Sequence, residues 1–415
     1  MSTINSDHYY DVWRDYYLAI QGFFYLAQGI AMGAILFFPE FLVALGTTRT
    51  DSIIFQAIIW IPWYLKIFFG ILSDNYPIKS FGRRKPYIFV AGFLGVIGWA
   101  TIPMFTSFSP LLLVVGIFAS FGTAMSDSTI DALSVDVTPK HRRGAMQGIS
   151  WGMRALGIGI SGVLSGKLVG DGQYFLLFAV PGTLVSLAAF AALLFKENPL
   201  PEDFKRIPGS VYKKVFSNRK VKLVMLFQLV SGGGIALIPI LESFLKEDLG
   251  FLPETIGWFI LVFAFANLIG ALLFGLLGDK LSVKKILPIA TLLYVVFISI
   301  ILFIDTSHPY EPNTLRMLYI FFGSIGFIDG GYEATQMRLG MDFSARVLAG
   351  TSFNLYNSLS NIGQIAVGAV LIAILADSLG FAAAWQICSV FLILAFIIAY
   401  FVFDKDIEEL QSLEI

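Results

Sequence analysis

The stretch GILSDNYPIKSFGRRK, residues 70–85, has a counterpart in the second half of the same chain. The counterpart is GLLGDKLSVKK, residues 275–285. Each copy places a glycine four residues before an aspartate at the end of an apolar run, and basic residues follow. Further positions match at an offset near 206: Asp136 with Asp342, Gly144 with Gly350, and Asp127 with Glu333. The repeat indicates two halves of similar architecture.

The composition predicts that both halves lie in lipid. Hydrophobic residues make up 57% of the 415 residues, charged residues make up 14%, and the mean hydropathy is +0.77. An ordinary soluble domain has roughly 25% charged residues. A membrane crossing takes about 20 apolar residues, so the chain has room for about a dozen helices. The polar start MSTINSDHYYDVWRDYY does not have the pattern of a cleavable signal peptide.

The apolar runs predict an all-α polytopic membrane protein with twelve transmembrane helices in two six-helix bundles. Because each half crosses an even number of times, the two repeats are parallel and related by an axis along the membrane normal. We expect an N-terminal bundle at 1–195, a polar linker at 196–220 and a C-terminal bundle at 221–415. The predicted spans are 18–45, 51–72, 86–106, 110–136, 144–168, 173–195, 221–245, 253–278, 285–304, 313–338, 347–376 and 379–403.

Basic residues are distributed unevenly between the two sides of the predicted bundle. The N-terminus, the C-terminal tail and the loops after even-numbered spans hold 22 of the 28 Lys and Arg residues, and the opposite loops hold 4. By the positive-inside rule, both termini are cytoplasmic. We expect a monomer in the lipid bilayer of the plasma (inner) membrane. The basic linker is interpreted as a solvated loop, with contact to anionic lipid headgroups as the alternative.

Several functional classes lack their signatures. No G-x-x-x-x-G-K-[ST] motif indicates an ATP-driven pump, and no H-E-x-x-H or Cys/His cluster indicates a metal site. GISWG at 148–152 matches the hydrolase motif G-x-S-x-G, but it lies in a predicted membrane helix. The single Cys388 excludes an intramolecular disulfide, and the net charge of −1 indicates no nucleic-acid partner. We expect neither an enzyme nor a bound cofactor.

The loop motif resembles that of a known family. G-x-x-x-D followed by G-R-R resembles the signature of the major facilitator superfamily, and GLLGDKLSVKK resembles its C-terminal copy, with Ser282 where glycine is usual. The resemblance covers essentially the whole chain. The long segment NYPIKSF before Gly82, with FGRRKPY and SDSTIDALSVDVTPKHRRG, resembles the branch of muropeptide permeases, folate–biopterin transporters and acetyl-CoA transporters. Sugar–cation symporters also have an FGRR-type loop.

The resemblance implies a gate of charged residues at the cytoplasmic end. In the family, the loop aspartate and arginines cap helices and form ion pairs that keep this side shut in the outward-open state. The alternative is a set of ordinary charges at the headgroup boundary. The implied gate residues are Asp74, Arg83, Arg84, Asp136, Arg142, Arg143, Asp279, Lys284, Lys285 and Asp342.

Acidic residues also lie deep within predicted spans, where a charge costs roughly 3 kcal/mol on insertion scales. With a rise of 1.5 Å per residue, Asp127 lies about 13 Å inside the cytoplasmic end of its helix, near the midplane. Burial raises the pKa of a carboxyl group and a nearby arginine lowers it, which suits reversible proton binding. The proton-coupling candidates are Asp127, Glu333, Asp131 and Asp329. The alternative for Asp127 is a static ion pair with Arg154.

Polar stripes at helical spacing in the first, fifth and eleventh spans predict a hydrated interior, with amide contacts between helices as the alternative. In the resembled family the fourth and tenth helices line a central cavity, which implies that the acids of these two spans face it. Arg154, with Lys66, is expected to bind a carboxylate or phosphate of the solute; for Lys66 the alternative is snorkelling to the interface. The candidate solute contacts are Arg154, Lys66, Gln21, Tyr25, Gln28, Gln147, Asn354, Asn357 and Asn361. The stretch SGGGIALIP at 231–239 predicts a kinked or unwound turn in the seventh span, with close helix packing as the alternative.

The leading hypothesis is a secondary active transporter that moves a small anionic or zwitterionic organic solute by alternating access, coupled to H⁺ symport. The alternatives are a sodium-coupled or uncoupled facilitator of a sugar-like solute and a non-transporting membrane protein on the same scaffold. The sequence does not identify the solute or the direction of transport.

Overall fold

The computed structural model describes residues 12–35, 37–78, 81–197, 204, 206–237, 241 and 244–402. Most of these residues are helical, and the described part contains no β-strand, only a single bridge between Ile78 and Gly82. Each predicted span corresponds to one helix or to consecutive short helices. The structure therefore confirms the predicted all-α architecture.

The first half contains six spans. The second span is broken at Trp60 and Leu65, on either side of Pro62, which has no backbone N–H to donate. The helices are Tyr16–Ile35 and Phe38–Ala44 (first span), Arg49–Ile59, Ile61–Tyr64 and Lys66–Asn75 (second), Lys85–Thr101 (third), Pro110–Val137 (fourth), Arg143–Gly170 (fifth) and Tyr174–Ala191 (sixth).

The second half follows a short helix, Gly209–Ser217, within the predicted linker, of which residues 198–203 and 205 lie outside the described part. The helices are Arg219–Gly234 and the π-helix Phe244–Asp248 (seventh span), Pro253–Leu281 (eighth), Val283–Ile300 (ninth), Pro312–Asp342 (tenth), Ala349–Asn361, the π-helix Ile362–Ala369 and Val370–Leu379 (eleventh), and Phe381–Ala384 and Gln386–Val402 (twelfth).

The seventh span is interrupted where the sequence places its three glycines. Its first helix ends at Gly234, and residues 238–240 lie outside the described part. The same glycines also allow close packing, because a Cβ on Gly233 would lie 2.8 Å from the ring of Phe391. Both interpretations of this stretch therefore hold together.

Eight of the described helical segments are long and apolar enough to cross a membrane. The second, fifth, seventh and tenth spans are not among them. These four spans are either broken into short helices or carry the polar side chains described below.

Most of the buried apolar side chains belong to clusters within one half. The largest cluster lies entirely between Ile207 and Ala399, and three others lie entirely before residue 196. One smaller cluster contains both halves and packs Val135 and Trp151 against Met337, Met341 and Phe353. We call this mixed set the shared apolar cluster.

Glycines of one half lie against the backbone of the other half at two places. The fifth span lies against the eighth span, and a Cβ added at Gly148 would lie 2.5 Å from the carbonyl oxygen of Ala271. The second span meets the eleventh, where Gly70 faces the backbone of Gly350. Glycine permits such backbone contact because it has no side chain.

Ser282 shows the consequence of departing from the usual glycine in the repeated loop. It joins the eighth and ninth spans with φ 72°, and it is the non-glycine residue with positive φ in the described part of the chain. Gly82 in the first copy has φ 112°. Serine adopts this conformation less readily than glycine, so the turn in the second copy is strained.

Candidate functional site

Two aspartates bind the ends of helices in the opposite half of the molecule. The carboxylate of Asp74 accepts hydrogen bonds from the backbone N–H of Gly350 at 3.2 Å and of Thr351 at 2.7 Å. The carboxylate of Asp279 accepts from the N–H groups of Gly144 and Ala145, both at 2.8 Å. Free N–H groups at a helix N-terminus favour an anion. The repeat thus produces two equivalent contacts, one in each direction across the halves.

Arg84 connects the first of these contacts to the fourth span. Its guanidinium lies 2.7 Å from Asp74 and 2.9 Å from Asp136, and it donates to Ser73 Oγ at 2.8 Å. Burial alone would lower the pKa of Arg84, but the carboxylates of Asp136 and Asp74 outweigh it and raise the pKa above its usual value. Arg84 therefore stays charged, although its side chain is fully buried.

Further arginines bind across the halves at the same end of the bundle. Arg83 lies 2.9 Å from Asp74 and donates to the carbonyl oxygen of Val347 at 2.6 Å. Arg143 lies 2.8 Å from Asp342 in the opposite half. These contacts, with the two aspartate contacts and Arg84, form what we call the charged end of the bundle.

Three residues of the predicted gate lie elsewhere. Arg142 pairs with Asp15, at 3.5 Å on an exposed surface, and does not reach the second half in that pair. Lys284 and Lys285 are exposed. The cation beside Asp279 is instead Arg338, at 2.9 Å, which also lies 3.7 Å from Asp342. Arg338 lies one turn before the end of the tenth span, and a gate role for Lys284 and Lys285 stays a prediction.

The mid-span acid Asp127 is paired with Lys66 from the second span. Gln28 of the first span donates to Asp127 at 2.6 Å. The sequence alternative of an ion pair between Asp127 and Arg154 is therefore wrong in its partner. Snorkelling of Lys66 is also wrong, because only 1% of this residue is exposed. The pair is buried in the first half.

Asp131, one turn further along the fourth span, has contacts of another kind. It accepts a hydrogen bond from the hydroxyl of Tyr25 at 2.5 Å and one from the amide of Asn357 at 3.4 Å. Asn357 belongs to the eleventh span in the other half. No ion pair links Asp131 to a basic side chain within the described residues. Asp131 is thus a buried carboxyl group that touches both halves.

The tenth span carries the corresponding acids of the second half. Asp329 accepts from the hydroxyl of Tyr294 and from the amide of Asn267, the latter at 2.9 Å. Glu333 lies one turn further on, 8% exposed, within reach of the same Asn267. Neither acid forms an ion pair with a basic side chain in the part of the chain that the structure describes.

Arg154 differs from the buried arginines of the charged end. Its guanidinium lies over the indole ring of Trp151, 4.6 Å from the ring centroid, and the residue is only partly buried. Over the described residues, no carboxylate pairs with it within 4.0 Å. A half-buried guanidinium that rests on an aromatic face keeps its N–H donors for an anion.

The remaining polar candidates mostly bind within the protein. Gln21 donates to Ser150 at 3.2 Å and Gln147 to the sulfur of Met341 at 3.0 Å. Asn354 donates to the carbonyl oxygen of Ser128 at 2.9 Å, across the halves. Asn361 is only partly buried. The amide stripes therefore serve helix contacts in this conformation, which is the alternative that helix packing offers, and a hydrated interior stays a prediction.

Sequence reasoning missed one acid altogether. Glu197, just after the sixth span, accepts from the backbone N–H groups of Arg83, Arg84 and Lys85 at 2.6, 3.1 and 2.7 Å. Glu197 lies in the polar stretch KENPLPED, has no acidic counterpart 206 residues later and belongs to no helical stripe, so no signal in the sequence indicated its role.

Two family models match the chain. The model described as the BT1 family matches residues 26–306, more than half of the chain. The chain belongs to the BT1 family. The model of the Major Facilitator Superfamily matches residues 223–413, so the resemblance found in the sequence is confirmed. The protein is an integral multi-pass membrane protein of a transporter superfamily, not an enzyme.

Relatives and solved structures agree with this membership. The chain is 30% identical over 217 residues to the folate-biopterin transporter of Synechocystis, covering 50% of this chain and 44% of that protein. It is 35% identical over 176 residues to probable folate-biopterin transporter 2 of Arabidopsis thaliana, covering 40% and 32%. The matches thus span less than half the length of these relatives. The E. coli fucose:proton symporter FucP has the same fold, with TM-score 0.71 at 16% identity over 94% of this chain and all of that one.

Proposed function

We propose that this BT1-family chain is a proton-coupled secondary transporter of a folate- or biopterin-like organic solute. The observation that carries the proposal is the set of three buried mid-span carboxyl groups, Asp131, Asp329 and Glu333, which have no basic side chain within 4.0 Å among the described residues. Asp131 also contacts both halves. Relatives named as folate-biopterin transporters support the solute class. The two halves move about the site between them, with residues 1–195 and 221–415 as the moving bodies and 196–220 as their linker.

The charged end acts as the gate on one side. The contacts of Asp74 and Asp279 join the halves there. The contacts of Gly70 with Gly350 and of Gly148 with Ala271 let the backbones of the two halves approach each other closely. The excess of basic residues around this end favours the cytoplasm as the side that is closed. Both termini then lie in the cytoplasm. Opening this end requires that both aspartates leave the helix N-termini.

Proton binding belongs to carboxyl groups without a permanent cation. Among the described residues, Asp131, Asp329 and Glu333 meet this description, because their hydrogen-bond donors are hydroxyl and amide groups and no basic side chain lies within 4.0 Å of them. A carboxyl group removed from water and unpaired holds a proton more readily than one in water. Asp127 forms an ion pair with Lys66 in this conformation, so we assign the coupling to the other three carboxyl groups.

The solute anion binds at Arg154. The guanidinium stands over Trp151 in the shared apolar cluster, and both belong to the fifth span that packs across the halves. A planar conjugated ring suits an indole face, and a carboxylate or an enolate-like oxygen suits a guanidinium.

Reconstituted uptake tests the proposal. Purified protein in liposomes is given labelled folic acid, biopterin or fucose with an inward proton gradient, with an inward sodium gradient or with neither, and protein-free liposomes serve as the control. We expect gradient-dependent uptake of folic acid or biopterin and no uptake of fucose. Uptake of fucose alone, sodium dependence without proton dependence, or no uptake of any solute would each reject this function.

A further inference from the structure

We propose that the linker between the halves fastens the loop at residues 75–85 and so sets the position of Arg84 in the gate. The inference rests on the gate described under the proposed function. The first attachment is Glu197, at the start of the linker. Its two carboxylate oxygens take up the N–H groups of Arg83, Arg84 and Lys85, where the third span begins.

This attachment caps a helix from outside its own sequence. The third span has no side-chain cap of its own, since Arg84 stands at the N-cap position and accepts no N–H. A carboxylate at a helix N-terminus satisfies free N–H groups and interacts favourably with the helix dipole. Glu197 supplies this carboxylate, so the backbone of Arg84 is fixed by a residue more than a hundred positions away in the chain.

Gly82 makes room for the contact. A Cβ at this position would lie 2.8 Å from Glu197 Oε2, and the residue has φ 112°, which L-side chains rarely adopt. Glycine at this position therefore both allows the backbone conformation of the loop and leaves room for the Glu197 carboxylate. This gives the glycine of the repeated loop motif a partner in the linker.

The second attachment lies at the other end of the same loop. Asn75, directly after the gate residue Asp74, accepts from the N–H of Ile207 at 3.1 Å and donates to the hydroxyl of Tyr212 at 2.5 Å. Next to it, Arg206 stands over the ring of Tyr76, 5.3 Å from the centroid. Linker residues therefore hold both ends of the loop, one beside Asp74 and one beside Arg84.

The position of the Arg84 backbone decides whether its guanidinium can reach both of its aspartates. Its guanidinium bridges Asp74 and Asp136 at 2.7 and 2.9 Å, which requires a fixed backbone. Glu197 and Asn75 bind backbone and linker groups around the loop and are not among the proposed solute contacts, so they are positioning residues. Loosening either attachment weakens closure of the charged end without altering a gate side chain.

Cysteine labelling tests the inference without measuring transport. The native Cys388 is replaced by Ala, and Val135→Cys serves as the reporter, because Val135 is 4% exposed within the shared apolar cluster. A maleimide added from the charged side reacts when this end opens. The variants are Glu197→Ala, Glu197→Gln and Asn75→Ala, with Asp74→Asn as the gate control and the exposed Glu311→Gln as the control for lost charge. Thermal unfolding confirms that each variant is folded.

Loss of a helix cap shifts an equilibrium by roughly five- to tenfold. We therefore expect labelling about that much faster for Glu197→Ala and for Asn75→Ala, with Glu197→Gln between Glu197→Ala and the parent, and an unchanged rate for Glu311→Gln. If Asp74→Asn is fast while all three linker variants label at the parental rate, the linker does not hold the gate. If Asp74→Asn itself labels at the parental rate, the gate is rejected and this inference with it.

Discussion

At the scale of single residues, the ion pair of Lys66 and Asp127 is expected to stabilise the fold. Both side chains are almost completely removed from solvent and neutralise each other. Removing one partner of a buried pair leaves an uncompensated charge, whereas replacing both by apolar side chains of similar size is often tolerated. The contribution of the pair to stability can therefore be measured by comparing a single replacement with the double replacement.

Replacing Lys66 by Met alone should lower the free energy of unfolding by about 3–5 kcal/mol, because Asp127 is left buried and unpaired. The double replacement Lys66→Met with Asp127→Leu should recover most of this loss. Denaturation in detergent measures both. A double variant as unstable as the single one would show that the two side chains do not act as a pair.

Arg154 gives a prediction about binding rather than stability. Replacement by Gln removes the charge that is held over Trp151, and replacement by Lys keeps a charge but loses the planar fork. We expect Arg154→Gln to weaken folate binding by about tenfold or more and Arg154→Lys by less, as a charged hydrogen bond is worth roughly 1.5–3 kcal/mol. Tryptophan fluorescence titration gives the affinities. Equal affinity in Arg154→Gln and the parent would remove Arg154 from the site.

The sequence allowed some of these residues to be assigned but not their partners. Asp74 and Asp279 were predictable because the repeat places each at the same helix end. Arg338 was not, since the position 206 residues earlier is Ala132. The partner of Lys66 depends on how separate spans pack, and a helical repeat within one span carries no information about that.

At the scale of elements, the fifth and eighth spans form the tightest seam between the halves. Gly148 faces the backbone of Ala271, and Gly152 faces Leu268. Span boundaries were predictable from apolar runs, as was the break after Gly234. The contact between the fifth and eighth spans was not predictable from the sequence. A glycine in a membrane helix indicates close packing but does not identify the helix that it packs against.

Gly148→Ala should separate the two spans, because the new Cβ meets a backbone carbonyl that cannot rotate away. Overpacking typically costs about 1–3 kcal/mol, so closure of the charged end should weaken by roughly tenfold. Gly162→Ala is the matched control on the same helix, where the nearest atom would lie 3.7 Å away. Labelling of Val135→Cys reports closure. Equal rates in the two variants would contradict the seam.

At the scale of the whole molecule, the two halves are related by repeat but differ in their chemistry. The charged end keeps the symmetry, with one aspartate from each half bound to a helix of the other. The middle of the membrane does not keep it. The first half balances Asp127 with Lys66, while the second half holds Asp329 and Glu333 among hydroxyl and amide groups.

The repeat predicted the symmetric part, and departures from the repeat fall at the proposed site. Asp131 has no acidic counterpart at the 206-residue offset, and Asp329 has none in the first half. Alternating access by two equivalent bundles needs only equivalent contacts that close one end, such as those of Asp74 and Asp279. Coupling to an ion needs in addition groups whose charge changes as the bundles move. Proton coupling is therefore assigned to the acids without a basic partner among the described residues: the unmatched Asp131 and Asp329, and Glu333, whose counterpart Asp127 is paired with Lys66.

The most direct test compares accumulation with exchange in proteoliposomes that contain the parent, Glu333→Gln or Asp131→Asn. An inward proton gradient drives accumulation of labelled folate, and unlabelled folate inside drives exchange without a gradient. We expect the parent to perform both, and each variant to lose accumulation by tenfold or more while it retains exchange, because a fixed neutral group completes the cycle only with solute bound. Accumulation at the parental level in both variants would contradict proton coupling at these carboxyl groups.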